Sequence, residues 1–215
     1  MNIADIEGLK FPDEMLTRFF FKNGLHTRRG RVIELGCGNG SNLMLFAAYG
    51  WETVGIDYDS ALIEAGRRNF AKAGHTGWTL TVGDLNQQQE VEGPFDVFLL
   101  PSIIYYFTVE QARAIIQRFA PHAAQSLFYC RFRTPLDYRF GRGEALGPQS
   151  FRITATETGE QGCTISFYET HQMLDLMSPF KLRQDSIKVF YEMFDNLQND
   201  RLIRNQDGII WADNL

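Results

Sequence analysis

The sequence predicts an α/β fold built on a doubly wound, mostly parallel sheet. Short apolar segments of strand length alternate with amphipathic helical segments between residues 31 and 131. This is the pattern of βαβ units with right-handed crossovers. Glycines follow the first helical segments, where helices commonly end. The length of 215 residues and the 44% apolar content allow one domain with a sizeable core.

The first predicted elements are a helix over residues 12–23 and a strand–helix unit after it. Pro12 and two acidic residues open the helix, and Gly24 follows its end. The segment RVIELGC (31–37) reads as a buried strand, and SNLMLFAAY (41–49) reads as the helix that follows it.

The alternation continues with four more strands and two more helices. The strands are TVGID (53–57), WTLTV (78–82), FDVFLL (95–100) and SLFYCRF (126–132); the helices are SALIEAGRRNFAKA (60–73) and VEQARAIIQRF (109–119). The pattern then changes to a loop rich in Gly, Pro and Arg. It is followed by a β-hairpin of FRITATE (151–157) with TISFYE (164–169), a helix over 170–180, a strand over 181–194 and a final short strand over 207–214.

Composition narrows the class of protein. The net charge is −5, so a broad electrostatic footprint for nucleic acid is absent. Cys37, Cys130 and Cys163 are far apart and have no metal-ligand spacing, and an odd count suggests a reducing compartment. The N-terminus lacks the pattern of a signal peptide, and no apolar segment approaches the roughly 20 residues of a membrane span. We therefore expect a cytoplasmic protein with no metal and no membrane partner.

A glycine loop follows the first strand. Gly36, Gly38 and Gly40 allow backbone N–H groups to approach a ligand with no Cβ in between. A dinucleotide fingerprint would need a further glycine where this chain has Ser41. The pattern is therefore ExGxGxG, beginning at Glu34, at the turn where open parallel sheets bind cofactors.

Acidic residues end the next two strands. Asp57 lies about 20 residues beyond the glycine loop, where a carboxylate can accept both hydroxyls of a ribose. Asp84 ends the third strand and can accept from an exocyclic amine such as that of adenine. The three strand ends together suit an adenosyl ligand without phosphate.

Four segments resemble motifs of the class I S-adenosylmethionine-dependent methyltransferases: VIELGCGNG, VGIDYD, VGDL and FDVFLLPSIIYYF, in chain order. The resemblance implies S-adenosyl-L-methionine as cofactor and a seven-stranded sheet whose last strand is antiparallel. It implies cofactor contacts by residues of these motifs, which are Glu34, Gly36, Cys37, Gly38, Gly40, Asp57, Tyr58, Asp84, Leu85 and Pro101.

The resemblance also divides the single domain of residues 1–215 into four parts. Residues 1–29 form a helical cap, for which lid and simple packing are both open, and residues 30–131 form the cofactor-binding core. Residues 132–168 supply an acceptor-side loop and hairpin, and residues 169–215 complete the sheet.

The arginines after the fifth strand suggest an anionic acceptor. Arginine forks match carboxylates and phosphates, which favours a small anionic molecule that is methylated on oxygen or nitrogen. Asp137 and Glu144 could instead pair with these arginines internally. The predicted substrate residues are Tyr105, Arg131, Arg133 and Arg139, and the catalytic candidates are Tyr106 and His171.

Other functions stay open. A binding module or partner subunit that holds the cofactor without turnover would have the same motifs. An aminopropyl transferase would need acidic residues for a polyamine, and Ser41 disfavours a nicotinamide dehydrogenase. A protein acceptor is open, as is the choice between monomer and homodimer.

Overall fold

The computed structural model describes residues 3–87, 91–123 and 125–215. Its main feature is a seven-stranded sheet in the order β3-β2-β1-β4-β5-β10-β9. Its strands are β1 Arg31–Leu35, β2 Glu52–Asp57, β3 Trp78–Val82, β4 Val97–Pro101, β5 Leu127–Arg133, β9 Lys188–Gln198 and β10 Arg201–Asp213. Strands β1 to β5 are parallel, and β10 runs antiparallel to both of its neighbours. The predicted fold class is thereby confirmed.

Helices cover both faces of the sheet. They are α1 Glu14–Lys22, α2 Ser41–Ala48, α3 Ser60–Lys72, α4 Val109–Phe119 and α5 Thr170–Leu176. Helices α1, α2 and α3 pack on one face around Phe19, Phe46 and Phe70. Helices α4 and α5 pack on the other, where Phe98 of β4 lies among the buried aromatic rings. Within the described residues, no helix is both long and apolar enough to cross a membrane.

A second, three-stranded sheet lies in the segment that follows β5. It consists of β6 Gly143–Ala145, β7 Ser150–Ile153 and β8 Thr164–Ser166, in the order β6-β7-β8 with antiparallel pairing. The predicted hairpin corresponds to β7 and β8. The loop prediction missed β6, which is only three residues long and has no apolar alternation.

The C-terminal hairpin differs in length from its prediction. Strand β9 begins only at Lys188, because a 3₁₀ turn occupies Gln184–Ser186. Strand β10 has 13 residues and is not short. Asn199 and Asp200, both with positive φ, form the two-residue turn between the strands. The extension places the beginning of β10 and the end of β9 beside the carboxyl ends of the parallel strands.

Candidate functional site

Three cavities lie at the carboxyl ends of the parallel strands. The first, the strand-end cavity, has a volume of about 690 Å³ and is lined by the ends of β2 and β3, the segment after β4, and the loop before β8. The arginine cavity, about 460 Å³, is lined by Arg131, Arg133 and Arg139 and by residues of β9 and β10. The N-terminal cavity, about 400 Å³, lies between the glycine loop and residues Leu9 to Asp13. These volumes are those of small-molecule sites.

The glycine loop shapes the N-terminal cavity. Gly36 has φ +71°, and a Cβ there would overlap Ile103. Gly38 has φ +52°, but a Cβ there would approach nothing closer than Leu62, at 3.8 Å. Gly36 is therefore required by packing, whereas Gly38 borders open space and presents backbone to it. A Cβ at Gly40 would meet Phe70 at 2.9 Å, and Gly40 lines none of the three cavities.

Glu34 is buried at the end of β1 and lines the N-terminal cavity. Its Oε1 accepts from Asn42 at 2.7 Å. Its Oε2 is buried with no hydrogen-bond partner among the described residues. Burial raises the pKa of this carboxyl to about 8, and repulsion by Asp57 and Asp13 adds to the shift.

The N-terminal segment is tied across the glycine loop. The side chain of Asn39 donates to the carbonyls of Glu7 at 2.7 Å and Leu9 at 2.8 Å. Asn69 of α3 donates to the same Glu7 carbonyl and accepts from the Glu7 backbone N–H. Hydrogen bonds from Arg68 and Lys72 lower the pKa of the Glu7 carboxyl to about 2. These contacts hold residues 7–13 along one wall of the N-terminal cavity.

Asp57 ends β2 and lines the strand-end cavity. Its Oδ2 accepts from the Gly38 N–H at 2.8 Å, and its Oδ1 accepts from the Asp59 N–H at 2.9 Å. Each carboxylate oxygen therefore keeps a further lone pair. Asp57 thus links the glycine loop to the strand-end cavity.

The remaining predicted residues at the ends of β2 and β3 surround the same space. Tyr58 is exposed beside the strand-end cavity, and Leu85 is buried against it. Asp84 lines it as well, and its side chain accepts from the Asn86 N–H at 2.9 Å. The structure therefore brings the three predicted strand ends together.

Ser102, directly after β4, is shared by all three cavities. It has φ +57°, a left-handed backbone conformation that is uncommon outside glycine. It lines the arginine cavity together with Tyr105. Glu160 lines both the strand-end and arginine cavities, and Asp13 lines both the arginine and N-terminal cavities. All three cavities thus meet at Ser102.

Arg131 is fully engaged with carboxylates. Its guanidinium contacts Asp13 at 2.6 Å, Asp207 at 2.7 Å and Glu192 at 3.1 Å. These partners come from the cap of α1, from β10 and from β9. The pKa of Arg131 is raised by Asp207 and Asp13, against the lowering effect of its burial.

Arg133 and Arg139 converge on Glu160, in the loop between β7 and β8. Arg133 contacts its carboxylate at 2.9 Å, and Arg139 donates to it through Nε. Arg139 also pairs with Asp137 at 3.1 Å. The Tyr106 hydroxyl donates to Glu160 at 3.0 Å. The charges of all three arginines are therefore matched by carboxylates of the chain, and they do not favour the anionic acceptor that the sequence suggested.

The structure brings together most of the predicted site residues. Of the cofactor set, all but Gly40 line the strand-end or N-terminal cavity, and Tyr105 and Tyr106 line the arginine and strand-end cavities. His171 is different. It is exposed on α5 and lines none of the three cavities.

Sequence reasoning missed Asp13, Glu160 and Asp207 as site residues. Asp13 reads as a helix cap, and it does accept from the Leu16 N–H. Glu160 lies in a hairpin loop and Asp207 in a strand. Their partners are distant in sequence, so no local motif marks them.

Comparisons with known proteins agree with this geometry. Residues 32–125 match the family model described as "Methyltransferase domain". These residues, less than half of the chain, are therefore similar to a methyltransferase domain. A protein-L-isoaspartate O-methyltransferase of Methanoculleus marisnigri is 33% identical over 70 residues, which are 33% of this chain and 32% of that relative. The match thus spans about a third of the relative's length.

Solved methyltransferase structures share the fold. One is a SAM-dependent methyltransferase from Methanosarcina mazei, with TM-score 0.64 and 14% identity over 85% of this chain and 92% of that chain. Another is the magnesium protoporphyrin IX methyltransferase from Synechocystis with bound SAH, with TM-score 0.64 and 16% identity over 93% of this chain and 80% of that chain. At these identities the likeness concerns the fold.

The residues of the N-terminal and strand-end cavities fit S-adenosylmethionine, the cofactor of the methyltransferases that the chain resembles. A buried carboxylate oxygen of Glu34 has no partner in the described residues, which suits the ammonium group at the amino-acid end of the cofactor. Gly38 presents backbone to open space, and Asp57 keeps lone pairs for a diol. These features match the chemistry of the ligand at three separate points.

Proposed function

We propose that the protein transfers a methyl group from S-adenosylmethionine to a small-molecule acceptor. The observation that supports this most directly is the position of Ser102, where the N-terminal, strand-end and arginine cavities meet. A cofactor that spans the N-terminal and strand-end cavities would place its reactive centre near this junction. The acceptor would then reach it from the arginine cavity.

Each part of the chain has a separate task in this proposal. Glu34 and the backbone of Gly36 and Gly38 hold the amino-acid end of the cofactor, and Asp57 accepts from its ribose. Tyr58, Asp84 and Leu85 border the adenine. Residues 1–29 cover the cofactor, 30–131 bind it, 132–168 form the acceptor side, and 169–215 complete the sheet.

When bound, the cofactor would supply an activated methyl group for the lone pair of the acceptor. The chain therefore has to orient two molecules and exclude water. The Tyr106 hydroxyl donates to Glu160. Burial raises the pKa of Tyr106 well above the ordinary value of a tyrosine. It remains a neutral phenol at physiological pH, so we assign it a positioning role. His171 lies outside the cavities and has no part in this proposal.

A turnover experiment separates this enzyme from a binding module. The purified protein would be incubated with methyl-labelled S-adenosylmethionine and a fractionated small-molecule extract, and labelled products would be counted. We expect product with the parent protein and about a tenfold or greater loss in Ser102→Leu, which fills the junction. Thr156→Leu is the matched control, because Thr156 is exposed and lines none of the cavities.

Binding of the cofactor without labelled product from any fraction would favour the binding module. A Ser102→Leu protein with full turnover would remove the junction from the proposal.

A further inference from the structure

The lining of the arginine cavity has as many carboxylates as arginines, and it includes polar groups left without partners among the described residues. Its lining includes three arginines and the carboxylates of Asp13, Glu160 and Asp207. Arg131 has an additional partner in Glu192, and Arg139 has one in Asp137. A phosphate or carboxylate would have to displace one of these carboxylates and leave it unpaired in a partly buried site, which is costly.

In contrast to these ion-paired residues, two other side chains of the arginine cavity each have a polar atom without a partner among the described residues. The hydroxyl of Thr158 and Oε1 of Gln198 are buried, and neither has a hydrogen-bond partner among the residues that the structure describes. One lies in the loop between β7 and β8, and the other is the last residue of β9. A buried amide oxygen needs a donor, which a fully ionised carboxylate or phosphate group cannot itself supply. A ligand hydroxyl both donates and accepts, so it satisfies either group.

Asp207 adds a proton acceptor to this set. Its Oδ2 accepts from Arg131 Nε at 2.8 Å. Within the described part of the chain, no donor reaches its Oδ1, although the residue lines the cavity. Burial raises the pKa of Asp207 above its ordinary value, against the lowering effect of Arg131, which suits a group that takes up a proton.

We infer that the arginine cavity binds an uncharged polyhydroxylated acceptor, such as a free sugar or cyclitol, and that one of its hydroxyls is methylated. This inference rests on the proposed methyl transfer. The hydroxyl oxygen bonds to the methyl carbon, and the carbon–sulfur pair remains on sulfur as the neutral thioether. The hydroxyl proton passes to Oδ1 of Asp207 and from there to solvent. The volume of about 460 Å³ suits a ligand of monosaccharide size.

The first experiment is a binding comparison. S-adenosylhomocysteine is added to saturation, shown by calorimetry. Methyl glucoside, myo-inositol, glucose 6-phosphate, glucuronate and spermidine are then titrated separately. We expect the neutral compounds to bind at least about tenfold more tightly than the charged ones. Thr158→Val and Gln198→Met should each weaken neutral binding about fivefold or more, whereas Thr156→Val, in the same loop but outside the cavity, should leave it unchanged.

The outcomes separate the two proposals. If S-adenosylhomocysteine binds but no neutral compound does, or if a phosphate, a carboxylate or spermidine binds best, the inference about the acceptor is wrong and methyl transfer stands. If S-adenosylhomocysteine itself does not bind to the folded protein, the proposed function fails as well.

The second experiment tests Asp207 with the best neutral acceptor of the first. Asp207→Asn keeps an oxygen for Arg131 but cannot take up the proton. We expect kcat to fall about tenfold or more with KM within about twofold, and the acidic limb of the pH–rate profile to disappear. An unchanged profile, or a rise in KM alone, would show that Asp207 only shapes the cavity.

Discussion

Glu34 is a residue at which burial opposes the charged form of the side chain. Its carboxyl is enclosed by protein, faces two other acidic groups and has a pKa raised to about 8. A cation bound in the N-terminal cavity would favour the ionised form. Binding of S-adenosylmethionine should therefore release a proton from Glu34 at pH 7.

We predict that this proton release is lost in Glu34→Gln. The measurement is calorimetric titration at pH 7 in two buffers of different ionisation enthalpy, because the difference in heat gives the protons exchanged. The affinity of the parent protein for S-adenosylmethionine should rise toward pH 8, and that of the variant should rise less. Equal proton release by both proteins would contradict the assignment.

The raised pKa of Glu34 also predicts how the free energy of unfolding of the ligand-free protein depends on pH. Its pKa in the folded protein lies above the unfolded value of 4.5, so the folded state binds the extra proton between about pH 4.5 and pH 8. The contribution of this group to the free energy of unfolding therefore decreases as the pH rises through that window. Denaturation curves of Glu34→Gln should show a shallower loss of stability from pH 5 to about pH 8 than the parent protein. An identical pH dependence would mean that Glu34 titrates normally.

The N-terminal segment, residues 7–13, is held to the glycine loop mainly by Asn39. Its buried amide donates to two carbonyls of the segment, of Glu7 and Leu9. The sequence left open whether this region covers the cofactor or only packs on the sheet, because hydrogen bonds between distant parts of the chain have no local signature.

We predict that Asn39→Ala loosens the segment and weakens cofactor binding about tenfold, since the Leu9 carbonyl loses its donor and the Glu7 carbonyl keeps only Asn69. Hydrogen exchange of residues 6–10 should become faster. Asn23→Ala is a suitable control, because Asn23 also donates to a carbonyl, but at the end of α1. Unchanged affinity together with faster exchange would show that the segment packs on the site without covering the cofactor.

The C-terminal hairpin shows which part of an element the sequence can predict. The apolar run of β10 marks its second half, from Asp207 to Asp213. Its first half is mostly polar and pairs with β9 through a turn at Asn199 and Asp200. Both turn residues tolerate positive φ, which was the signal available in the sequence. The extension matters because Asn205 and Gln198 border the arginine cavity.

For the whole molecule, the alternation of strands and helices was sufficient to predict the sheet. The resemblance to methyltransferase motifs added the strand number and the antiparallel last strand. The acceptor side could not be predicted, because its ion pairs connect residues such as Arg131 and Asp13 that lie far apart in the chain. Counting arginines in a loop suggested an anion site, whereas their pairing with carboxylates depends on the tertiary fold.

A further prediction concerns the core on the face of the sheet that α4 and α5 cover. Phe98 is fully buried, with its ring centroid 5.1 Å from that of Phe180 and 6.1 Å from that of Phe128. Phe98→Ala should lower the free energy of unfolding by about 3–5 kcal/mol, measured by chemical denaturation. Leu136→Ala, at an exposed position, should change it by less than about 0.5 kcal/mol. A small effect at Phe98 would mean that this face of the sheet is not the main core.

The proposed methyl transfer depends on cofactor binding at the three strand ends, and calorimetric titration measures this binding. S-adenosylmethionine and S-adenosylhomocysteine would each be titrated into the parent protein and into Asp57→Ala. We predict micromolar binding of both ligands by the parent protein and loss of about tenfold or more in the variant, because Asp57 supplies the ribose acceptor and orders the Gly38 backbone. Absence of binding by the folded parent protein, or equal binding by the variant, would show that the three strand ends do not form the cofactor site.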